Sequence, residues 1–351
     1  MSKLAKALTA AAGNAGAGAL YVEDVFSTYL YTGTGATQTI TNGIDLDGEG
    51  GLVWIKSRNN ATTHTLHDTA RGPTKRLRIN TDAETTVSDL VTSFNSDGFT
   101  LGADVGNSGG NFSSAYTYAS WTFRKAEKFF DVVTYTGNGV AGRTVAHNLG
   151  STPAVMIFKR TDASSGNWPV YVSALGATEV LRLNITNASF TSSDYFNDTT
   201  PTDSVFTVGN SSNINASGGT YVAYLFASDA GGFGDDGSES IIKCGSYTGT
   251  GAAGLEVDLG FEPQWLMFKR TDSTSDWSMF DVMRGIATGG DDARLRAQGS
   301  DAENTFNYVD VTATGFSLSY GGTDMNASGG TYIYIAIRRP MKTPESGTEV
   351  F

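Results

Sequence analysis

The sequence predicts an all-β protein made of three tandem β-sandwich, jelly-roll-like repeats behind a flexible N-terminal arm. Three blocks of the chain repeat one order of landmarks, which indicates a tandem array. The 351 residues include 43 Gly but only 7 Pro, with abundant Thr, Ser, Asn and Asp, a composition typical of short strands joined by tight turns. Helical periodicity is nearly absent from the chain.

Each block shows four landmarks in the same order: a Tyr-Thr-Gly turn, a basic-ended apolar run, a Leu-Arg step and a closing aromatic strand. The turns start at Tyr31, Tyr135 and Tyr247, the apolar runs end around Lys56, Lys159 and Lys269, the steps are Leu77-Arg78, Leu181-Arg182 and Leu295-Arg296, and the closing strands surround Tyr118, Tyr221 and Tyr332. We interpret a residue present in all three blocks as framework. A residue present in one block only is a candidate for function.

These landmarks divide the chain into six segments. Residues 1–19 form a docking arm, 20–126 the first β-sandwich, 129–228 the second, 229–240 a Gly- and Asp-rich linker, 241–339 the third β-sandwich, and 340–351 a polar tail. A unit of this size buries its own core without a disulfide or a metal. The single Cys244 also excludes an intramolecular disulfide framework.

Strand signals dominate inside the blocks. The runs Tyr221–Phe226 and Tyr332–Ile337 are β-branched and aromatic and follow Gly, as expected of strands buried on both faces. The alternation at Phe99 and Leu101 predicts a half-exposed strand. The spacing of the apolar residues within 85–95 predicts one short helix with a single apolar face.

The charge of the chain excludes two classes of partner. A net charge of −12 at pH 7, with no cluster of Lys and Arg, argues against nucleic acid, because phosphate binding needs clustered cations. The sequence has no run of 18 apolar residues, so we expect no membrane insertion.

Two stretches, Gly137–Gly142 and Gly249–Gly254, match the Gly-x-Gly-x-x-Gly pattern of dinucleotide sites. Such a site needs a helix directly after the glycines. The residues that follow alternate like strands instead, and the first block keeps its turn without the third glycine. We therefore interpret both stretches as hairpin turns.

The pair His64 and His67 has the spacing of a metal or catalytic cluster. Its counterparts in the other blocks are aromatic: Trp168 and Tyr171 in the second, Trp277 and Phe280 in the third. A zinc site would need a further ligand, and the chain's other histidine, His147, lies in a different block. We interpret His64 and His67 as residues of core packing or surface stacking.

An Asp-x-x-Arg pair recurs in two blocks, as Asp68 with Arg71 and as Asp281 with Arg284. It predicts a charge-assisted lock on a local turn. The second block has apolar residues at both positions, so the pair is dispensable for the fold.

The sequence shows no recognisable catalytic or calcium motif. Acidic loops such as Asp45–Glu49 match no known calcium-loop spacing, and the chain has no Gly-x-Ser-x-Gly elbow. Carboxylates from single blocks could still meet in three dimensions as a glycosidase pair. We expect a protein that is not an enzyme and that holds no cofactor and no metal.

Four segments carry a family resemblance: the opening Leu20–Gly33, the segment Gly50–Arg58, and the two Asn-Ala-Ser-Gly-Gly-Thr-Tyr closures at 215–221 and 326–332. On these residues the chain resembles the tail-fibre-like and other virion-surface proteins of marine bacteriophages. The resemblance covers most of the chain and implies a particle-exposed structural protein, often concerned with host attachment. The chain shows no coiled-coil stalk, so a compact tip, a short spike or a decoration is expected rather than a long fibre.

The resemblance implies a non-enzymatic protein on the virion surface, produced in the host bacterial cytoplasm, that attaches the particle to a host glycan or protein. The N-terminal arm would dock on other virion proteins. Trp54, Trp168 and Trp277 are candidates to stack on a sugar ring, with core packing as the alternative for each. The repeats suggest either a homotrimer or a single chain that imitates a trimer. Alternative functions are a head or tail decoration without receptor binding, and a polysaccharide depolymerase.

Overall fold

The computed structural model describes residues 18–107, 109–164, 166–286 and 289–342. These residues form 26 strands, which pair in antiparallel sheets and are joined by turns and short helical segments. The predicted all-β class of tandem sandwiches is confirmed. Most of the predicted docking arm, residues 1–17, and most of the predicted tail, residues 343–351, lie outside the described residues.

The first block packs a six-stranded sheet against a three-stranded one. A 3-10 turn at Val22–Asp24 leads into it. Its strands are β1 (Phe26–Thr32), β2 (Gln38–Thr41), β3 (Gly51–Ser57), β4 (Thr65–Asp68), β5 (Lys75–Arg78), β6 (Thr85–Thr86), β7 (Val91–Asn95), β8 (Gly98–Leu101) and β9 (Thr117–Arg124). The strand order is β1-β9-β3-β4-β5-β6 in the large sheet and β2-β8-β7 in the small one.

The second block repeats this plan with a two-stranded small sheet. Its elements are β10 (Phe130–Thr136), β11 (Arg143–Ala146), β12 (Val155–Arg160), β13 (Pro169–Val172), β14 (Glu179–Arg182), β15 (Phe190–Thr191), α1 (Ser193–Phe196), β16 (Val205–Val208), α2 (Ser212–Asn215) and β17 (Thr220–Phe226). The orders are β10-β17-β12-β13-β14-β15 and β11-β16.

The third block returns to the plan of the first. Its strands are β18 (Ile242–Thr248), β19 (Leu255–Asp258), β20 (Pro263–Arg270), β21 (Trp277–Asp281), β22 (Asp292–Arg296), β23 (Asn304–Phe306), β24 (Val309–Thr312), β25 (Gly315–Leu318) and β26 (Thr331–Arg338), with a 3-10 turn at Val282–Arg284. The orders are β18-β26-β20-β21-β22-β23 and β19-β25-β24.

The closing strand of each block lies between the opening strand and the apolar run, which explains its composition. It pairs with the opening strand in the same register in every block: Tyr31 with Tyr118, Tyr135 with Tyr221, and Tyr247 with Tyr332. The rings of these pairs stack, with centroids 5.2, 5.1 and 5.0 Å apart. Because packed side chains cover both faces of the large sheet, β-branched and aromatic residues occupy most positions of this central strand, as predicted for β17 and β26.

Each six-stranded sheet is covered on both faces. On β20, Leu266 and Phe268 pack with the small sheet of their own block, whereas Trp265 and Met267 belong to a core shared by all three blocks. All five tryptophans of the chain are buried in this shared core. Burying a large apolar side chain contributes about 1.5–3 kcal/mol. The blocks are therefore parts of one molecule with a common centre.

The predicted helix over 85–95 is wrong. Strands β6 and β7 occupy the two ends of this segment, and Val91 pairs with Leu101 of β8. The backbone hydrogen bonds that β7 forms with β8 stabilise a strand here more than the helical spacing of the apolar residues stabilises a helix, because strand formation depends on the surface available for pairing. In the second block a helix, α1, takes the place of β7, between β15 and β16, and the side chain of Ser192 caps it by accepting from Asp194 N–H.

Candidate functional site

The three blocks close into a ring with approximate threefold symmetry. Equivalent backbone hydrogen bonds join them: Glu84 N–H to Thr161 O at 2.8 Å, Ser189 N–H to Thr271 O at 2.8 Å, and Glu303 N–H to Arg58 O at 2.7 Å. The third bond returns from the last block to the first and completes the ring. This is the arrangement of a trimer built within one polypeptide.

The three tryptophans considered for sugar stacking lie in the shared core. Trp168 Nε1 donates across a junction to Asn80 O at 2.9 Å, and Trp277 Nε1 donates to Arg182 O at 3.0 Å. Trp54 Nε1 donates to His64 Nδ1 at 2.8 Å. The relative exposure of the three residues is 1% or less. They occupy the positions expected of the packing alternative, and none presents a ring face to solvent.

The histidine pair also serves packing, as predicted from its aromatic counterparts. His64 takes the position of Trp168 and Trp277, stacks on Trp121, and contacts Arg296 O through Nε2 at 3.0 Å, across the junction. Burial lowers the pKa of His64 well below its usual range, so the ring is neutral. In the described part of the chain, no group of three or more His, Cys, Asp or Glu side chains is placed to hold a metal ion.

The Asp-x-x-Arg pairs do more than lock a turn. Arg71 N–H donates to Asp68 Oδ1 at 3.0 Å, which is the predicted lock. Asp68 Oδ2 also accepts from Tyr224 of the second block at 2.7 Å. The equivalent Asp281 accepts from Trp121 Nε1 of the first block at 3.0 Å. Two of the three junctions thus contain a buried charge network that local sequence spacing did not reveal.

A buried lysine ends the apolar run of every block. Lys56, Lys159 and Lys269 have no exposed surface. Their ammonium groups donate to backbone carbonyls, as Lys159 Nζ does to Gly166 O at 2.7 Å and across the junction to Asn80 O at 3.3 Å. Burial lowers the pKa of each of the three to about 8. Because the lysine recurs in all three blocks, we assign it to the framework.

The Tyr-Thr-Gly turns are held by one buried asparagine each. Asn326 Oδ1 accepts from Thr250 N–H at 2.7 Å, and its Nδ2 donates to Ala252 O at 2.7 Å. Asn111 and Asn215 make the same bonds in their blocks. Strands β11 and β19 begin just after the two glycine-rich stretches, so a strand and not a helix follows the glycines. The predicted hairpin turns are wrong, because β10 and β11 lie in different sheets and so do β18 and β19; each stretch crosses from the large sheet to the small one. Asn215 and Asn326 of the repeated closure hold these crossings.

Each junction carries a solvent-open cavity. The first–second junction has one of about 340 Å³, the first–third junction one of about 390 Å³, and the second–third junction one of about 460 Å³. All three fall in the range of about 300–1,000 Å³ that is usual for small-ligand sites. The largest is lined by Arg182, Asn187, Ala188, Ser189, Phe190 and Thr274. We call it the Arg182 pocket.

The arginine of the Leu-Arg step distinguishes this pocket. Arg78 pairs with Asp82 at 2.8 Å, and Arg296 pairs with Asp276 at 2.6 Å. Arg182 forms no ion pair with a carboxylate of the described residues, and its Nε is buried without a hydrogen-bond partner among them. Its guanidinium lies over the ring of Phe190, 4.3 Å from the centroid. An arginine without a counter-ion beside an open cavity makes this pocket the candidate binding site.

A family model described as a domain of unknown function, DUF7483, matches residues 22–340. The chain belongs to the DUF7483 family. No curated protein matches the chain. The match spans all three blocks, so DUF7483 corresponds to the whole ring and not to a single repeat.

The DUF7483 ring has two different ends. At one end the first described residues, the last described residues and the linker between the second and third blocks meet: Gly234 N–H donates to Leu20 O at 2.9 Å, and Met341 N–H donates to Glu23 Oε1 at 2.8 Å. The opening strands run from this end to the Tyr-Thr-Gly turns at the other. Every junction cavity takes part of its lining from the turn end of a block, namely Thr136, Thr63 and Thr274.

No helix in the described part of the DUF7483 chain is long and apolar enough to cross a membrane.

Proposed function

We propose that this chain is a non-enzymatic structural protein of a phage virion, located on the particle surface, that attaches the particle to a glycan of the host cell. The observation that carries the proposal is the opposition of the two ends of the ring. Leu20, which follows the proposed docking arm in the sequence, lies at one end, and the junction cavities draw on the turns at the other. A chain anchored through the arm would present its cavities outwards.

The lining of the cavities supports a saccharide as the ligand. The Arg182 pocket offers hydroxyl and amide groups from Ser189, Asn187 and Thr274, next to the ring of Phe190. Sites of this kind combine apolar or aromatic surface with a few polar groups that fix orientation. The ring closure holds the two blocks that form the pocket in a fixed relation, so the site is preformed.

The resemblance to virion-surface proteins of marine phages supports the location on a particle. The arm, residues 1–19, would bind other virion proteins. The three blocks already close on one another within one chain, so a homotrimer would need a further surface. Light scattering of the purified chain measures this directly, and a monomer would exclude the homotrimeric spike.

The test is binding of the fluorescently labelled full chain to a panel of marine bacterial and cyanobacterial cells and to their extracted envelope polysaccharide. We expect saturable binding to at least one strain, reversed by an excess of unlabelled protein. A folded protein that binds no strain would overturn the attachment proposal and favour a decoration of the head or tail. Release of reducing sugar from the polysaccharide would show a depolymerase instead.

A further inference from the structure

We propose that the Arg182 pocket is a specific site for an anionic saccharide, whose carboxylate or sulfate group takes the place of the counter-ion that Arg182 lacks. This inference rests on the proposed glycan-binding function and names the ligand class of that site. It follows from a comparison of equivalent positions in the second and third blocks.

The second and third blocks contain the same series of hydrogen bonds, from a tryptophan N–H towards the arginine, and differ only at the last acceptor atom. In the third block Trp277 N–H donates to Gln298 Oε1 at 2.9 Å, Gln298 Nε2 donates to Asp276 Oδ1 at 2.6 Å, and Asp276 Oδ2 accepts from Arg296 Nε at 2.6 Å. The last bond neutralises the arginine.

The second block repeats this series of hydrogen bonds, with the amide of Asn167 in place of the carboxylate of Asp276. Trp168 N–H donates to Asn184 Oδ1 at 2.9 Å, and Asn184 Nδ2 donates to Asn167 Oδ1 at 3.0 Å. The remaining atom of Asn167 is Nδ2, a donor, which cannot accept from an arginine. Arg182 Nε is consequently left without a partner among the described residues.

The other carboxylates around the arginine have also been replaced. Asp82 lies four residues after Arg78 and pairs with it at 2.8 Å, and Asp301 lies five residues after Arg296 and approaches it to 3.5 Å. The corresponding residues after Arg182 are Thr186 and Asn187. Every position that supplies a negative charge in another block is therefore neutral around Arg182, in a chain whose net charge is −12.

A buried donor without a partner is costly, and natural proteins keep few of them. An anion in the pocket would supply the counter-charge that the guanidinium lacks, since arginine binds carboxylate and sulfate-like groups through charge-assisted hydrogen bonds. Phe190, already under the guanidinium at 4.3 Å, supplies an apolar surface for a sugar ring. Asn187, Ser189 and Thr274 supply neutral groups for its hydroxyls. The chemistry fits a uronic acid or a sulfated sugar.

The experiment titrates the full chain with three oligosaccharides of similar length by calorimetry: an oligogalacturonate, a sulfated dextran fragment and a neutral dextran fragment. We expect binding of at least one anionic oligosaccharide at least tenfold tighter than binding of the neutral one, and weaker as salt rises. Arg182→Gln and Asn167→Asp should each lower that affinity at least tenfold. Asn167→Asp installs the carboxylate of the third block without changing a residue that lines the pocket.

Arg296→Gln is the matched control, because it removes the same charge at the equivalent position outside the pocket, and it should change the affinity less than twofold. Melting curves of each variant verify that it is folded. Equal losses for Arg182→Gln and Arg296→Gln would overturn the proposal and indicate non-specific charge attraction. Failure of both anionic oligosaccharides to bind the unmodified chain would overturn it as well.

The outcome is distinguishable from failure of the attachment proposal. If labelled chain binds cells and neutral polysaccharide competes while the anionic oligosaccharides do not, attachment stands and the anionic site is excluded. If the anionic oligosaccharides bind through Arg182 while no strain in the panel is bound, the site stands and the attachment proposal falls.

Discussion

The indole Nε1 of Trp121 donates a hydrogen bond to Oδ2 of Asp281, 3.0 Å away across the junction of the first and third blocks. At the first–second junction the equivalent pair is Tyr224 with Asp68, at 2.7 Å. At the junction of the second and third blocks both partners differ. Ile335 occupies the position equivalent to Trp121 and Tyr224, and Val172 occupies the position equivalent to the two aspartates. A donor therefore occurs only where its acceptor does, which indicates that the three blocks fit one another as specific pairs.

Substitution Asp281→Asn should lower the free energy of unfolding by about 3–5 kcal/mol, because removing one partner leaves a buried charge uncompensated. Arg284 Nε donates to Asp281 at 2.6 Å, and both side chains are fully buried. The other carboxylate near Arg284, that of Glu303, is 3.7 Å away. Urea unfolding followed by circular dichroism measures the change.

Asp301→Asn is the matched control for this prediction. It removes a carboxylate that is 72% exposed and 3.5 Å from Arg296. Exposed ion pairs contribute about 0–1 kcal/mol, so the control should lose no more than that. Similar small losses for both variants would show that the junction network contributes little.

The free energy of unfolding should rise with pH between about pH 8 and pH 9.5 because of the buried lysines. Burial holds the pKa of Lys56, Lys159 and Lys269 at about 8 in the folded chain, against about 10.4 when unfolded. In this window the unfolded chain binds more protons than the folded one, so raising the pH favours the folded state. Above the window, tyrosines begin to ionise.

Lys159→Met tests the assignment, since it removes one of the three lysines and with it about one third of the lysine contribution to the slope. Lys75→Met is the control, because the Lys75 side chain is 40% exposed and should leave the slope unchanged. A slope that Lys159→Met does not alter would place the pH dependence elsewhere in the molecule.

The sequence was sufficient for the sandwich class, because turn chemistry and strand composition are local and each was repeated three times. It did not show which strands the glycine-rich turns join, because strand pairing depends on the tertiary structure. The sequence was not sufficient to predict which tryptophan side chains are exposed to solvent. A tryptophan in a strand looks the same whether its sheet faces solvent or another sheet, and here the outer face of every large sheet meets the other blocks. Trp54, Trp168 and Trp277 lie in the core for that reason.

The Arg182 pocket was missed for a different reason. Recurrence of the Leu-Arg step marks Arg182 as framework, and the information that sets it apart lies fifteen residues upstream, at Asn167. The sequence does contain the difference, since an Asn precedes Trp168 whereas an Asp precedes Trp277. It acquires meaning only when β13 and β14 pair and bring the two positions together.

Asn111→Ala, Asn215→Ala and Asn326→Ala should each lower the free energy of unfolding by about 2–4 kcal/mol, because several backbone groups of a turn lose a partner at about 1–3 kcal/mol each. The three asparagines hold equivalent turns. Asn138→Ala, at an exposed turn position, should cost less than about 1 kcal/mol. A large loss at one asparagine and none at the others would contradict the assignment of recurring residues to the framework.

A fragment that ends at Ser240 should fail to form a folded monomer, although it contains two complete sandwiches. Without the third block, Trp121 loses its acceptor Asp281, and the carbonyl of Arg58 loses the N–H of Glu303. The apolar faces of the first two blocks that pack against Trp265 and Trp277 also become exposed. Apolar patches of that size promote association. Size-exclusion chromatography with light scattering should show aggregates, and thermal unfolding should show a loss of cooperative melting.

Co-expression of residues 241–342 as a separate chain should restore a cooperative transition, because the ring contacts themselves are non-covalent. A soluble monomeric fragment that melts like the intact chain would show that the blocks are independent domains and that ring closure contributes little to the fold.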